Sequence, residues 1–271
     1  MLRCLVAFVA LGLLSQADAF APASISPMLR RGGLKATSPL ATRMVVDDKT
    51  EVREYFNNEG FNRWNKIYSE SDEVNVVQKF IRSGHQETVD KCLRWIDEDG
   101  SAARGDSFCD AGCGVGTLAI PLAQRGANVR ASDISESMAM EGKQRAGSME
   151  LKGAVTFETA DLETLEGSYD TTTCIDVLIH YPREKMDDMV GHLCSISDKR
   201  FIISFAPYTP LLAALKFIGS LAPGPSKATR AYLHAEADVI AALNKRGFTV
   251  KRNDLTSTNF YYSRIIEAVK A

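Results

Sequence analysis

Beyond its first fifty residues the sequence has no long apolar run, and nothing in it approaches the roughly 18–20 residues that a membrane-spanning helix needs. No permanent anchor is expected. An excess of one charge is also missing, because 34 acidic residues stand against 32 basic ones and the local basic surplus is confined to residues 1–46. No broad basic face remains to grip nucleic acid. The six cysteines, Cys4, Cys92, Cys109, Cys113, Cys174 and Cys194, form no C-x-x-C pair and keep no metal-ligand spacing with histidine. They read as reduced, buried small hydrophobes, which speaks against secretion. No metal site is expected. From Phe20 to Val46 there is no Asp or Glu at all, while Arg30, Arg31, Lys35 and Arg43 are present among several Ser and Thr.

That acid-free stretch has transit-peptide composition. It follows Met1-Leu2-Arg3, the apolar run Cys4 to Leu14, and Ala17-Asp18-Ala19, which together read as a signal peptide with a small-x-small cleavage site. A signal peptide over 1–19 followed by a transit peptide over 20–46 that starts at Phe20 resembles the bipartite presequence of algal secondary plastids. Import into a plastid is therefore expected, with a stromal or peripheral membrane location at thylakoid or envelope.

With 271 residues the chain can build one sizeable core. Residues 47–103 read as an N-terminal helical arm or lid, with Val74, Val77, Ile81, Val89, Leu93 and Ile96 near a helical period and Gly60 breaking it early. From residue 104 to 271 short apolar runs alternate with amphipathic stretches, as in an α/β parallel sheet covered on both faces. Strands are expected at Phe108-Cys109, Asn128 to Ser132, Val155 to Glu158, Thr173 to Ile179, Phe201 to Phe205, Phe248 to Val250 and Tyr261 to Val269. Met186, Met189, Val190, Leu193 and Ile196 give one helix its buried stripe. Another helix runs from Glu236 to about Lys245, with Gly247 as its cap. The last two strands are joined too closely for a crossover and so should be antiparallel. Pro121 demands a kink or a late helix start. Seven strands ending in an antiparallel pair resemble the Rossmann-like fold of class I methyltransferases.

The strongest local signal is Asp110-Ala111-Gly112-Cys113-Gly114-Val115-Gly116-Thr117, an acidic strand end followed by three alternating glycines. Glycines permit a tight turn and let a ligand come close to the backbone. Gly114 to Ala119 also satisfies the G-x-G-x-x-[GA] dinucleotide pattern, so the glycines alone leave an oxidoreductase open. Asp110 favours the other reading, because a carboxylate repels pyrophosphate but pairs with the ammonium of S-adenosylmethionine. Asp133, with Ile134 after it, is spaced to take ribose hydroxyls, and Asp161-Leu162 to clamp adenine. The competing role for Asp133 and Asp161 is helix capping. The cofactor set is thus Asp110, Gly112, Cys113, Gly114, Gly116, Asp133, Ile134, Asp161, Leu162 and Asp176, with S-adenosylhomocysteine as the product.

Four further blocks narrow the class: Val52 to Asn57 leading to Gly60-Phe61-Asn62-Arg63-Trp64 and Ile67-Tyr68; Ile81 to His85; Cys174 to Pro182; and Pro223 to His234. Over nearly the whole chain past the presequence, these resemble the magnesium protoporphyrin IX O-methyltransferase family. The resemblance implies methyl transfer to a propionate of magnesium protoporphyrin IX in chlorophyll biosynthesis, with magnesium present only as part of the substrate. It places the catalytic candidates at Tyr68 and His180. Tyr55, Trp64, Lys227, Arg230, Tyr232 and His234 become candidate substrate contacts. The apolar stretch near 207–234 reads as an insertion, as core packing or as a membrane-touching lip. The family implies the magnesium chelatase porphyrin-binding subunit as a partner. Methylation of another plastid molecule such as a quinone, and porphyrin binding without turnover, are the alternative readings.

Overall fold

The computed structural model describes residues 48–68, 74–214 and 231–271. The expected presequence, the candidates Lys227 and Arg230, and most of the apolar insertion lie outside the described residues.

The described strands are β1 (Ser107–Ala111), β2 (Asn128–Asp133), β3 (Ala154–Thr159), β4 (Tyr169–Cys174), β5 (Ser197–Phe205), β6 (Phe248–Ser257) and β7 (Tyr262–Lys270). They form one sheet in the order β3-β2-β1-β4-β5-β7-β6. The first five pair in parallel, and β7 runs antiparallel to both β5 and β6. The period-2 alternation of strand side chains divides the core. Cys109, Ala111, Phe201, Ile203 and Phe205 face one apolar cluster, and Phe108 and Ile202 face the other. Helix α6 (Arg183–Ser195) covers the first cluster with Met186, Met189, Val190 and Leu193, the stripe read from the sequence. Helix α7 (Glu236–Asn244) adds Val239 and Leu243.

Three helices precede the sheet: α1 (Asp48–Asn57), α2 (Glu59–Ile67) and α3 (Val76–Asp99). The expected arm divides in its packing. Val89, Cys92, Leu93, Trp95 and Ile96 of α3 join the second core cluster against Phe108, Ile202 and Ile265, so α3 is built into the sheet's face, whereas α1 and α2 cross its ligand edge. A reciprocal capping box between Asn75 and Gln78 starts α3, and Gly100 in the left-handed region (φ 68°) ends it. The break between α1 and α2 falls at Asn58 rather than Gly60. A Cβ on Gly60 would lie 2.5 Å from the Tyr55 ring, so this glycine serves the close return of the chain.

Helix α4 (Ala119–Arg125) starts late, which leaves Pro121 in the first turn, where a missing N–H costs nothing. Two expectations for strands are corrected. β4 ends at Cys174, five residues short of the expected Ile179, because Asp176 turns the chain with φ 59° and residues Leu178–His180 form a 3₁₀ turn. β6 continues past Val250 to Ser257 although Lys251 to Asp254 are all polar. Arg252 lies over Trp95 at 4.9 Å and hydrogen-bonds Glu267, which gives this charged stretch strand partners that alternation of apolar residues cannot reveal.

Candidate functional site

Strand order reverses between β1 and β4, and open α/β sheets bind their ligands outside the carboxyl ends of the strands at such a reversal. A cavity of about 430 Å³ lies there. The glycine turn after β1, the ends of β2 and β3, the 3₁₀ turn after β4, the inner faces of α1 and α2, and the β6–β7 connection all contribute to its wall.

Each glycine of the turn has its own part. Gly112 (φ 80°) is pinned under Val177, whose Cγ2 would be 2.2 Å from an added Cβ. Gly114 (φ 53°) lines the cavity, and a Cβ there would meet nothing within 4 Å. Gly116 is not a cavity residue; it lets Phe157 and Ile120 approach, which is packing between helix and strand. The turn's amides are already engaged. Gly112 and Cys113 N–H donate to Ser132 O at 2.8 and 2.9 Å, Gly116 N–H donates to Cys113 O at 2.9 Å, and Gly114 N–H donates to Asp133 Oδ2 at 2.9 Å. A pyrophosphate would therefore find few free donors here, which disfavours the dinucleotide reading that the glycine spacing left open.

Asp110 is buried. Its Oδ1 accepts from Thr173 Oγ1 at 2.8 Å, whereas Oδ2 is buried without a hydrogen-bond partner. Burial pushes its carboxyl up to about 6 against the Thr173 hydrogen bond. An unmatched buried carboxylate oxygen on a cavity wall fits a cationic ammonium, as expected from the sequence for S-adenosylmethionine. Asp133 is likewise raised by burial, against hydrogen bonds from Ser135 and Gly114 N–H. Ile134, Cys113, Asp161 and Leu162 line the same cavity. Asp161 caps the 3₁₀ turn Leu162–Thr164 by accepting from Glu163 N–H at 3.0 Å, and its Oδ2 pairs with Lys49 of α1 at 3.0 Å. The capping role weighed from the sequence is thus present in Asp161, together with a tie to the arm.

Asp176 was expected among the cofactor contacts, yet its carboxylate is aimed at protein donors. Oδ1 accepts from Ser204 Oγ at 2.9 Å and Ser263 Oγ at 3.0 Å; Oδ2 accepts from His85 Nδ1 at 2.8 Å and Tyr261 OH at 2.6 Å. Burial would raise this carboxyl, but the hydrogen bonds outweigh it and hold the group below its ordinary range.

His180 follows in the 3₁₀ turn, six residues past the end of β4, with its ring edge-on to Phe56 at 5.4 Å. Desolvation lowers its imidazole to about 4, so it is neutral at physiological pH. Tyr68 lines the same cavity, its ring 5.5 Å from Trp64 and 4.6 Å from His85. Burial pushes its phenol well above the ordinary value. Trp64 faces the cavity and keeps a buried indole N–H without a partner.

Three candidate substrate contacts stand back from the cavity wall. Tyr55 packs edge-on to Phe56 at 5.1 Å. Tyr232 N–H donates to Ile179 O at 2.7 Å. His234 is buried, with Nε2 against Leu178 O at 3.0 Å. The last two hold the segment after residue 230 against the His180 turn. Sequence reading missed His85, Thr117, Tyr261 and Lys49. His85 and Tyr261 are far from Asp176 in the chain, and no spacing rule links them; His85 was visible only as the end of the Ile81–His85 block.

Comparisons with known proteins give the family. Residues 174–270 match the family described as magnesium-protoporphyrin IX methyltransferase C-terminus, and residues 108–197 match a methyltransferase domain. The magnesium-protoporphyrin O-methyltransferase of Synechocystis is 54% identical over 231 residues, covering 85% of this chain and 100% of that protein. The magnesium protoporphyrin IX methyltransferase of Arabidopsis thaliana, named chloroplastic, is 56% identical over 223 residues, 82% of this chain and 71% of that one. A crystal structure of the Synechocystis enzyme with bound S-adenosylhomocysteine superposes with a TM-score of 0.77 over 82% of this chain and all of that one, at 54% identity. The chain belongs to the magnesium-protoporphyrin IX methyltransferase family, S-adenosylmethionine-dependent enzymes of the class I fold.

Proposed function

We propose that the chain transfers the methyl group of S-adenosylmethionine to a propionate carboxylate of magnesium protoporphyrin IX, giving the monomethyl ester. The observation that carries this reading is that Asp110 and the glycine turn share one cavity with His180 and Tyr68. The cofactor supplies a sulfonium methyl, which a carboxylate oxygen takes as the C–S electron pair returns to sulfur. In this reading Asp110 Oδ2 receives the ammonium, Asp133 the ribose hydroxyls, and Ile134, Asp161 and Leu162 border the adenine.

A propionic acid, with a pKa of roughly 4–4.5, is already ionised at neutral pH, so no general base is required. What the protein must do is strip the carboxylate of water and aim it. A neutral His180 suits that task, because an N–H donor orients the anion without cancelling the charge that makes it a nucleophile. The protonated Tyr68 phenol supplies a second donor, and Phe56 and Trp64 offer aromatic surface to the ring. Lys227 and Arg230 are proposed to meet the remaining propionate.

The chloroplastic Arabidopsis relative supports a plastid destination, reached through the presequence read over residues 1–46. Exposed Tyr208 and Leu211, where the apolar stretch begins, support peripheral contact with a membrane. Among the described residues no helix is long and apolar enough to cross one. The porphyrin-binding subunit of magnesium chelatase is proposed, on family resemblance, as the substrate donor.

The test is incubation with labelled S-adenosylmethionine and, in parallel, magnesium protoporphyrin, the metal-free porphyrin and a quinone. Label in the ester of the magnesium porphyrin is the expected result. Label in the quinone instead, or porphyrin bound tightly with no label transferred, would overturn it.

A further inference from the structure

Asp176 is the single non-glycine residue at positive φ among the described residues, and a left-handed conformation in an L-residue costs on the order of 1 kcal/mol or more. Such a turn persists only when its surroundings hold it. Here the restraint comes from three separate elements. Ser204 on β5 both receives the Asp176 N–H at 2.8 Å and donates to Oδ1; Tyr261 and Ser263 reach in from the start of β7 and the connection before it; His85 reaches in from α3. Because the Asp176 carboxylate accepts, His85 Nδ1 carries the proton, and the other ring nitrogen meets Thr117 Oγ1 at 3.0 Å, at the end of the glycine turn. Gly84, the neighbour of His85, is required by the same arrangement: a Cβ there would lie 2.3 Å from the Tyr261 ring.

Directly or through Val177, the pair reaches the glycine turn and both candidate catalytic residues. One residue past Asp176, Val177 rests on Gly112, and its carbonyl accepts the His180 N–H at 2.9 Å. On the other side the Tyr68 ring lies 4.6 Å from the His85 ring. The two candidate catalytic residues are 112 positions apart in the sequence and have no element in common. Tyr68 packs on the His85 ring, and His180 hangs from the backbone one residue past Asp176.

We propose that His85 and Asp176, which border the cavity but spend their polar atoms on each other, Thr117, Ser204, Tyr261 and Ser263, are a positioning pair for methyl transfer that fixes Tyr68 and His180 relative to each other and to the glycine turn. The proposal rests on the methyl-transfer reading above. It assigns a function to the Ile81–His85 block, and it makes Asp176 a scaffold for the acceptor side rather than a ligand of the cofactor.

The test uses the full-length chain and measures turnover of magnesium protoporphyrin, calorimetric affinity for S-adenosylhomocysteine, porphyrin affinity from quenching of protein fluorescence, and the thermal midpoint. In His85→Ala, kcat should fall on the order of 50-fold, the scale on which small misplacements of reacting groups act, while both affinities stay within about threefold. His85→Asn keeps an N–H donor where Nδ1 stands and should recover most of the rate. Tyr261→Phe keeps the ring over Gly84, removes one hydrogen bond to Asp176, and should cost roughly fivefold to tenfold in kcat alone. Unchanged kcat in His85→Ala overturns the proposal, as does a loss confined to cofactor affinity. Equal losses in the Ala and Asn variants that follow the thermal midpoint also overturn it, since they would mark a purely structural role. If His85→Ala does not fold, Tyr261→Phe decides by the same split between kcat and affinity. Failure of the wild-type chain to methylate the porphyrin would sink the methyl-transfer reading itself, whereas normal wild-type turnover with unaffected variants sinks only the positioning pair.

Discussion

On the cofactor side of the cavity the glycine turn is held by restraints short in the chain, because Gly112 and Cys113 to Ser132, Gly114 to Asp133, and Asp133 to Ser135 span about two to twenty residues; only Asp110 draws on a distant partner, Thr173, 63 residues away. On the acceptor side they are long. Arg145 Nη1 donates to Tyr68 O at 2.9 Å across 77 residues, Ser135 Oγ donates to Asn57 Oδ1 at 2.8 Å across 78, His85 reaches Asp176 across 91, and Lys49 reaches Asp161 across 112. One wall of the cavity is a local motif, and the other is assembled from four separate stretches of chain. Damage to the second wall should therefore impair the reaction while the first still binds its cofactor, and the reverse should also be seen.

The largest expected effect comes from His180→Ala, which removes a neutral donor at the acceptor. Its kcat should fall about 10²- to 10³-fold, the range for loss of one preorganised donor, with S-adenosylhomocysteine affinity within about threefold of wild type in calorimetry. Weakened cofactor binding with normal turnover would break the division between the two walls. Next is Asp110→Asn on the cofactor side. A charge-assisted hydrogen bond to the ammonium contributes about 1.5–3 kcal/mol, so the dissociation constant of S-adenosylhomocysteine should rise roughly tenfold to 100-fold while kcat at saturating donor changes little.

A pH experiment sharpens the same point. The Asp110 carboxyl sits at about 6 without a partner and should drop when an ammonium binds it. The carboxylate is then the binding form, so affinity for S-adenosylhomocysteine is full above that value and lost as pH falls through it, by about tenfold at one unit below. Asp110→Asn should flatten the dependence. The His180 imidazole is shifted the other way, down rather than up, and its consequence falls on stability. Its folded value of about 4 lies below the ordinary 6.5, so acid charges the imidazole in the unfolded chain first and stability declines as pH falls from 6.5 toward 4. No inflection in kcat from His180 is expected near 6.5.

The smallest effect is expected for Arg145→Ala. Arg145 is partly exposed and ties α2 to α5 (Glu136–Gly147) by hydrogen bonds to Tyr68 O and Asn65. Its loss should raise the KM for the porphyrin about threefold to tenfold and leave cofactor affinity alone, since each such bond contributes about 1 kcal/mol. Steady-state kinetics with each substrate varied separately distinguishes the two.

Legibility follows the same line. Four of the five parallel strands, the α6 stripe, the late start at Pro121 and the terminal antiparallel pair could be read, because apolar periodicity and turn residues report local structure. Asp110 and the glycines were readable for the same reason. The run Thr173 to Ile179 misled, because its apolar residues fit a strand; only Ser204, arriving from β5, shows that the chain turns at Asp176. The polar end of β6 was missed because it is held by charged and aromatic partners, Glu267 opposite it on β7 and the distant Trp95, which apolar alternation does not report. Gly60 looked like a helix breaker and proved to be a contact with Tyr55, and Gly116, expected at the cofactor, also stands where Phe157 and Ile120 approach the backbone.

By itself the sequence determined the α/β class, the cofactor turn with its acidic strand ends and, through four separated blocks, the family. Those features rest on short-range geometry: 2.0 and 3.6 residue periods, and glycines where a turn needs positive φ. Only the tertiary structure decided that Asp176 serves protein donors, that His85 joins α3 to the glycine turn, and that Tyr68 and His180 meet in one cavity. Hydrogen bonds between residues 77 to 112 positions apart leave no mark on local periodicity, so the acceptor wall becomes visible only once the sheet has brought its pieces together.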